Sequence, residues 1–243
     1  MPCGQPELIR IPKKLVVLGD SGVYGWGDPD QGGWCERLRR HWMEVPAGPV
    51  LYNLGVRGDG LERVAARLAA EVGCRGDLRR QLPQGILLGV GLNDLARVGR
   101  FSGRQQLAPD AFLFGLQQLL RQAAKLAPVM VLGLTPVLEE QMPFAELLWY
   151  QLAEVQAYEA LLAEACLEAE VPFLPLFHSF TAEDRWPELL CTDGLHGYLD
   201  SDAEAMRYLN LPGPEGARQL IQLANTRGGK DNITAIIVEV LEV

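Results

Sequence analysis

The sequence predicts an α/β domain built on a mainly parallel, five-stranded sheet with helices on both faces. Three observations lead there. Short apolar runs alternate with longer amphipathic stretches, and within each run the apolar residues are continuous rather than alternating, as strands buried on both faces require. The third is size: 243 residues, 48% hydrophobic and 22% charged, are enough for one α/β domain with a sizeable core.

The elements follow in order. Residues 14–18 (KLVVL) form the first strand, ending at Gly19. Residues 34–45 read as a helix and 49–54 (PVLYNL) as the second strand. In 61–72, Leu61, Val64, Ala65, Leu68 and Val72 fall on one helical face. Residues 85–90 (GILLGV) are the third strand. A helix over 110–127 starts with Asp110 as N-cap after Pro109. Residues 128–134 (PVMVLGL) are the fourth strand, 144–170 a long helix and 171–176 the fifth strand. Beyond them, helices are predicted at about 201–209 and 214–225, then a turn at Arg227-Gly228-Gly229 and a β-prone run over 233–243.

Composition narrows the function classes. The net charge is −9 with no block of like charge, so there is no electrostatic footprint for nucleic acid or an anionic membrane surface. No apolar run reaches membrane-spanning length, and the N-terminus lacks the pattern of a secretory signal. Cys3, Cys35, Cys74, Cys166 and Cys191 are scattered singly, an odd number without a CxxC pair. Reduced thiols in a cytoplasm are the expectation.

In a parallel sheet, ligands bind beyond the carboxyl ends of the strands, so a chemical motif belongs just after a strand. Gly19-Asp20-Ser21 follows the first strand, Asn53-Leu54-Gly55 closes the second, and Gly91-Leu92-Asn93-Asp94 follows the third. Asp193-Gly194-Leu195-His196 follows the region after the fifth. Ester hydrolysis needs a hydroxyl on a tight turn, a histidine to take its proton, an acid to orient that histidine and donors aimed at the oxyanion. Ser21 supplies the hydroxyl and Asp193 precedes the base candidate His196 by three residues. The Ser21 and Gly55 backbone N–H groups and the Asn93 amide are candidate oxyanion donors. Each motif also has a plain structural reading: Asn93-Asp94 and Asp193 as caps, Gly55 as a turn glycine. His41 belongs on a solvent-facing helix, and a core or capping role is the default for His178. Tyr24 and Trp26, with Trp34, are candidates to line an apolar acyl site, with burial in the core as the alternative.

These blocks, GDSGVYGWG from Gly19, NLGVRGDG from Asn53, GVGLNDLAR from Gly89 and DGLH from Asp193, resemble those of the SGNH hydrolases, or GDSL esterases and lipases, over about residues 14–196. The resemblance implies a flavodoxin-like three-layer α/β/α sandwich. It implies Ser21 as nucleophile with Asp193 and His196 completing the triad, and Ser21, Gly55 and Asn93 forming the oxyanion hole. It implies hydrolysis of a small-molecule carboxylic ester or thioester without a metal or organic cofactor. Gly22 departs from the family's usual leucine.

Residues 189–243 resemble something else, the C-terminal end of metal-dependent type-2C protein phosphatases, in which Asp193 and Asp231 would match metal ligands. We therefore divide the chain into a hydrolase domain over 1–212 and a C-terminal helix/strand extension over 213–243. A catalytically impaired binding module and a metal-dependent phosphatase are the alternatives to an ester hydrolase.

Overall fold

In a computed structural model, the described residues are 12–28, 31–76, 82–182, 186 and 219. The chain begins with β1 (Lys14–Gly19), a single helical turn α1 (Ser21–Tyr24) and α2 (Gly33–Glu44). Then come β2 (Val50–Gly55), α3 (Leu61–Cys74), β3 (Gly85–Gly89) and a second short turn α4 (Leu92–Leu95). A two-residue strand β4 (Arg97–Val98) leads to α5 (Pro109–Ala124) and β5 (Val129–Leu132). The last elements are β6 (Leu148–Trp149), α6 (Leu152–Glu168), β7 (Phe173–Leu174) and α7 (Leu176–Thr181).

Five strands pair in the order β2-β1-β3-β5-β7, and every pairing is parallel. The apolar runs explain why. Val16, Val17 and Leu18 are all fully buried, yet they face different layers. Val16 and Leu18 join a large cluster with Leu61, Leu68, Phe112, Leu116 and Tyr158 from α3, α5 and α6. Val17 joins a smaller cluster with Val23, Cys35, Trp42 and Leu51, beneath α1 and α2. A strand that must satisfy two apolar layers has no polar face to spare. Each such side chain contributes roughly 1.5–3 kcal/mol by leaving water. The periodicity of α3 is realised as expected: Leu61, Val64, Leu68 and Val72 are buried.

Three expectations are corrected. The helix predicted from residue 144 starts only at Leu152. Ala145 and Glu146 hold left-handed backbone (φ 50 and 60), and Leu148–Trp149 pairs antiparallel with β4, so a turn and ribbon replace the first turns. Asp110 is not the cap of α5: Pro109 occupies the first turn, Ala108 is the N-cap, and Asp110 lies inside. The fifth strand is two residues rather than six. Of the predicted C-terminal elements only Gln219, which is helical, is described, so the division at 212/213 and the run over 233–243 lie outside the described residues. Among the described residues no helix is long and apolar enough to cross a membrane.

Candidate active site

The carboxyl ends of β2, β1 and β3 are flush. Gly19 is in register with Gly55 on one side and with Gly89 on the other. Three motifs therefore leave the sheet side by side, which is the convergence their sequence positions require.

The first is the Ser21 turn. Asp20 is the N-cap of α1, its carboxylate accepting the Gly22 N–H at 2.8 Å. The Tyr24 N–H bonds the Asp20 carbonyl at 2.9 Å, and the Gly25 and Trp26 N–H groups both bond the Ser21 carbonyl at 3.0 Å. Ser21 is thus pinned at the start of a single turn, half-exposed. Among the described residues nothing accepts its backbone N–H.

Gly55 lies directly against this turn. A Cβ there would sit 2.1 Å from the Tyr24 nitrogen and 2.6 Å from both the Tyr24 Cα and the Val23 carbonyl carbon. The requirement for glycine is thus the close approach of two backbones, not room for an oxyanion. Its N–H donates to Asn53 Oδ1 at 3.0 Å.

The third motif places Asn93 on α4, half-buried. Its Nδ2 donates to the Asp59 carbonyl at 2.9 Å, which leaves the second amide hydrogen uncommitted to that bond. The neighbouring Asp94 is buried and accepts the Leu61 N–H on its two oxygens, at 2.9 and 3.0 Å, capping α3 from across the site. Asn93, Asp94, Gly58, Gly60 and Leu107 border a cleft of about 150 Å³.

Three buried carboxylates surround these loops: Asp20, Asp59 and Asp94, at 8%, 4% and 5% exposure. Burial pushes Asp20 up to about 6, with the charges of Asp94 and Asp59 adding to it and the Gly22 N–H opposing it. Burial likewise raises Asp94 to about 6, with Glu62 adding and the Leu61 N–H opposing. Asp59 has a compensating partner that the sequence reading missed. Arg67 of α3 donates through Nε to Asp59 Oδ2 at 2.9 Å and through Nη2 to the Gly19 carbonyl at 3.0 Å. The available signal was an arginine flanked on its helix by the buried Val64 and Leu68.

Tyr24 and Trp26 are each 52% exposed, so neither belongs to the core. Trp26 is covered on one face by Arg57, whose Cζ lies 3.2 Å from the ring centroid. Trp34 packs against the smaller core cluster. His41 is solvent-exposed as expected, and His178, on α7, is exposed rather than core. Burial pushes the thiols of Cys35 and Cys166 up to about 12 and 11, which leaves them poor nucleophiles. Asp193, His196 and Asp231 lie outside the described residues. Among the described residues no group of three or more His, Cys, Asp or Glu is arranged to hold a metal.

The profile of the GDSL-like lipase/acylhydrolase family matches residues 17–197. The chain belongs to this family. The matched span of this acylhydrolase begins inside β1 and closes just past His196, so all four motifs fall within it. Its fold is shared with a lipase/acylhydrolase from Enterococcus faecalis, at 16% identity and a TM-score of 0.57, over 91% of this chain and 99% of that one. It is shared too with the acetylxylan esterase Axe2 from Geobacillus stearothermophilus, at 18% identity and a TM-score of 0.52, over 70% and 78% of the two chains. No curated protein sequence matches the chain. These matches do not carry the phosphatase resemblance of residues 189–243. This acylhydrolase is an ester hydrolase.

Proposed function

We propose that the chain cleaves carboxylic esters or thioesters of small to medium acyl groups, with Ser21 as nucleophile, His196 as its base and Asp193 orienting His196. The observation that carries this reading is the flush register of Gly19, Gly55 and Gly89, which sets the Ser21 turn beside the loop bearing Asn93. In the reaction His196 takes the Ser21 proton as Oγ attacks the acyl carbon. The carbonyl oxygen becomes an oxyanion, and the alcohol or thiol leaves with a proton from His196. Water then repeats the sequence on the acyl-enzyme, releasing the acid. The oxyanion is met by the Ser21 N–H and the second hydrogen of the Asn93 amide, both on the same rim. The Gly55 N–H is a third donor, shared with Asn53 Oδ1. The cleft beside Asn93 has room for a small acyl group, and the exposed rings of Tyr24 and Trp26 offer apolar surface just after Ser21 in the chain. The natural partner is accordingly a small-molecule ester.

The test is hydrolysis of p-nitrophenyl acetate and butyrate with stoichiometric labelling by a fluorophosphonate. Ser21→Ala lowers kcat by about 10⁴- to 10⁶-fold and abolishes labelling while the fold persists. Turnover unchanged in the variant removes Ser21 from the mechanism.

A further inference from the structure

Arg67 contacts neither Ser21 nor Asn93, yet it touches what holds each of them. Its Nη2 donates to the carbonyl of Gly19, the last residue of β1, immediately before the Asp20-Ser21 turn. Its Nε donates to the carboxylate of Asp59 in the loop after β2. The backbone carbonyl of that same Asp59 accepts Nδ2 of Asn93. One guanidinium therefore joins the end of β1 to the loop after β2, and the path from nucleophile turn to oxyanion donor runs Gly19, Arg67, Asp59, Asn93.

The geometry points to Arg67 as a positioning residue that, through Asp59, fixes the Asn93 amide relative to the Ser21 turn. The inference rests on the reading of Ser21 and Asn93 above. The chemistry of the contacts supports it. A backbone carbonyl only accepts, so the Asp59 carbonyl forces Asn93 to present its NH₂ group, not its oxygen, toward that loop. The remaining hydrogen of the same planar group then has a fixed direction. Two contacts hold Asp59: its N–H donates to the Val56 carbonyl at 3.1 Å, and its side chain, 5% exposed, has Arg67 as its close partner. Arg63 reaches Asp59 only at 4.0 Å, from a side chain that is 75% exposed. A rigid planar fork can serve two acceptors that diverge, one a carbonyl and one a carboxylate, whereas a lysine ammonium is a compact point charge on a flexible stem. A cation needed for charge balance alone would not have to reach the Gly19 carbonyl.

The experiment compares Arg67→Lys and Asp59→Asn with the parent on p-nitrophenyl acetate, and repeats both changes in an Asn93→Ala background, with Tm measured throughout. We expect either single variant to lower kcat by about 10- to 100-fold with KM changed by less than about threefold, the size of effect that an ångström of misplacement produces. In the Asn93→Ala background the same changes should cost several-fold less, because the amide they position is already gone. Asp59→Asn keeps the backbone carbonyl and the side-chain volume, so it reports even if the lysine variant does not fold. Ser21-dependent activity in which kcat is unmoved by both variants, or falls by the same factor with and without Asn93, overturns the assignment of Arg67 alone. Activity that survives Ser21→Ala overturns the underlying reading instead.

Discussion

Replacing Gly55 with alanine drives a methyl group into the backbone of α1. The new carbon would lie 2.1 Å from the Tyr24 nitrogen, more than an ångström inside ordinary contact, and 2.6 Å from two further backbone atoms. None of the three can rotate away, so α1 or the end of β2 must shift by about an ångström. α1 begins at Ser21. A shift of that size in Ser21, the proposed nucleophile, is expected to lower kcat by about 10²-fold. Overpacking of this kind costs roughly 1–3 kcal/mol. At about 2–4 °C per kcal/mol for a chain of this size, Tm should fall by roughly 2–12 °C. The assay is steady-state hydrolysis of p-nitrophenyl acetate beside a thermal melt on the same preparation. Gly55→Ala with parental kcat would show that the contact between β2 and α1 does not set the Ser21 geometry.

Asn93→Ala should lower kcat by about 10²- to 10³-fold with little change in KM; a variant that loses only thermal stability would reduce Asn93 to a structural role. The buried Asp20 gives a pH prediction. Its pKa rises from 3.8 to about 6 on folding, so between those values the folded state binds the proton that the unfolded state has released, and stability falls as pH rises through the window. Asp20→Asn keeps an oxygen for the Gly22 N–H but carries no charge, so it should melt higher than the parent at pH 8 and converge with it only below about pH 4, where the unfolded carboxyl is protonated too; a Tm difference independent of pH refutes this. Chelator should leave esterase activity unchanged, and Asp231→Ala should be silent, because a histidine-activated hydroxyl needs no metal. Activity that is lost with chelator and restored by manganese would instead support the phosphatase-like reading of the C-terminal residues.

Motifs at strand ends were the most legible part of the chain, because a parallel strand is a continuous apolar run and stops visibly. Gly19, Gly55 and Asn93 are each located by where such a run ends. The one-turn helices α1 and α4 were not legible, since four residues carry no period. The start of α6 was misplaced because Phe144, Leu147 and Leu148 mimic helical spacing, while pairing of Leu148–Trp149 with β4 is a tertiary event. Gly55 was visible as a candidate N–H donor or a turn glycine, but not the close contact between two backbones that requires glycine there. Arg67 stayed hidden because its partners, Gly19 and Asp59, lie 48 and 8 residues away, and only the sheet register brings Gly19 within reach.

The order of strands in the sheet also imposes an order in time. β1 lies in the interior of the sheet, β2 and β3 flank it, and β5 and β7 extend it on one side. As the chain leaves the ribosome, the first three strands are complete by Gly89, and Asn93 follows at once. Residues 193–196 are made a hundred residues later, an interval of roughly 5–20 s at ordinary rates of synthesis. At the start of that interval a growing chain carries its serine on three of the five strands, and throughout it His196 has yet to be made. If His196 is the base, the nascent enzyme is protected from premature acylation by nothing more than its own direction of translation.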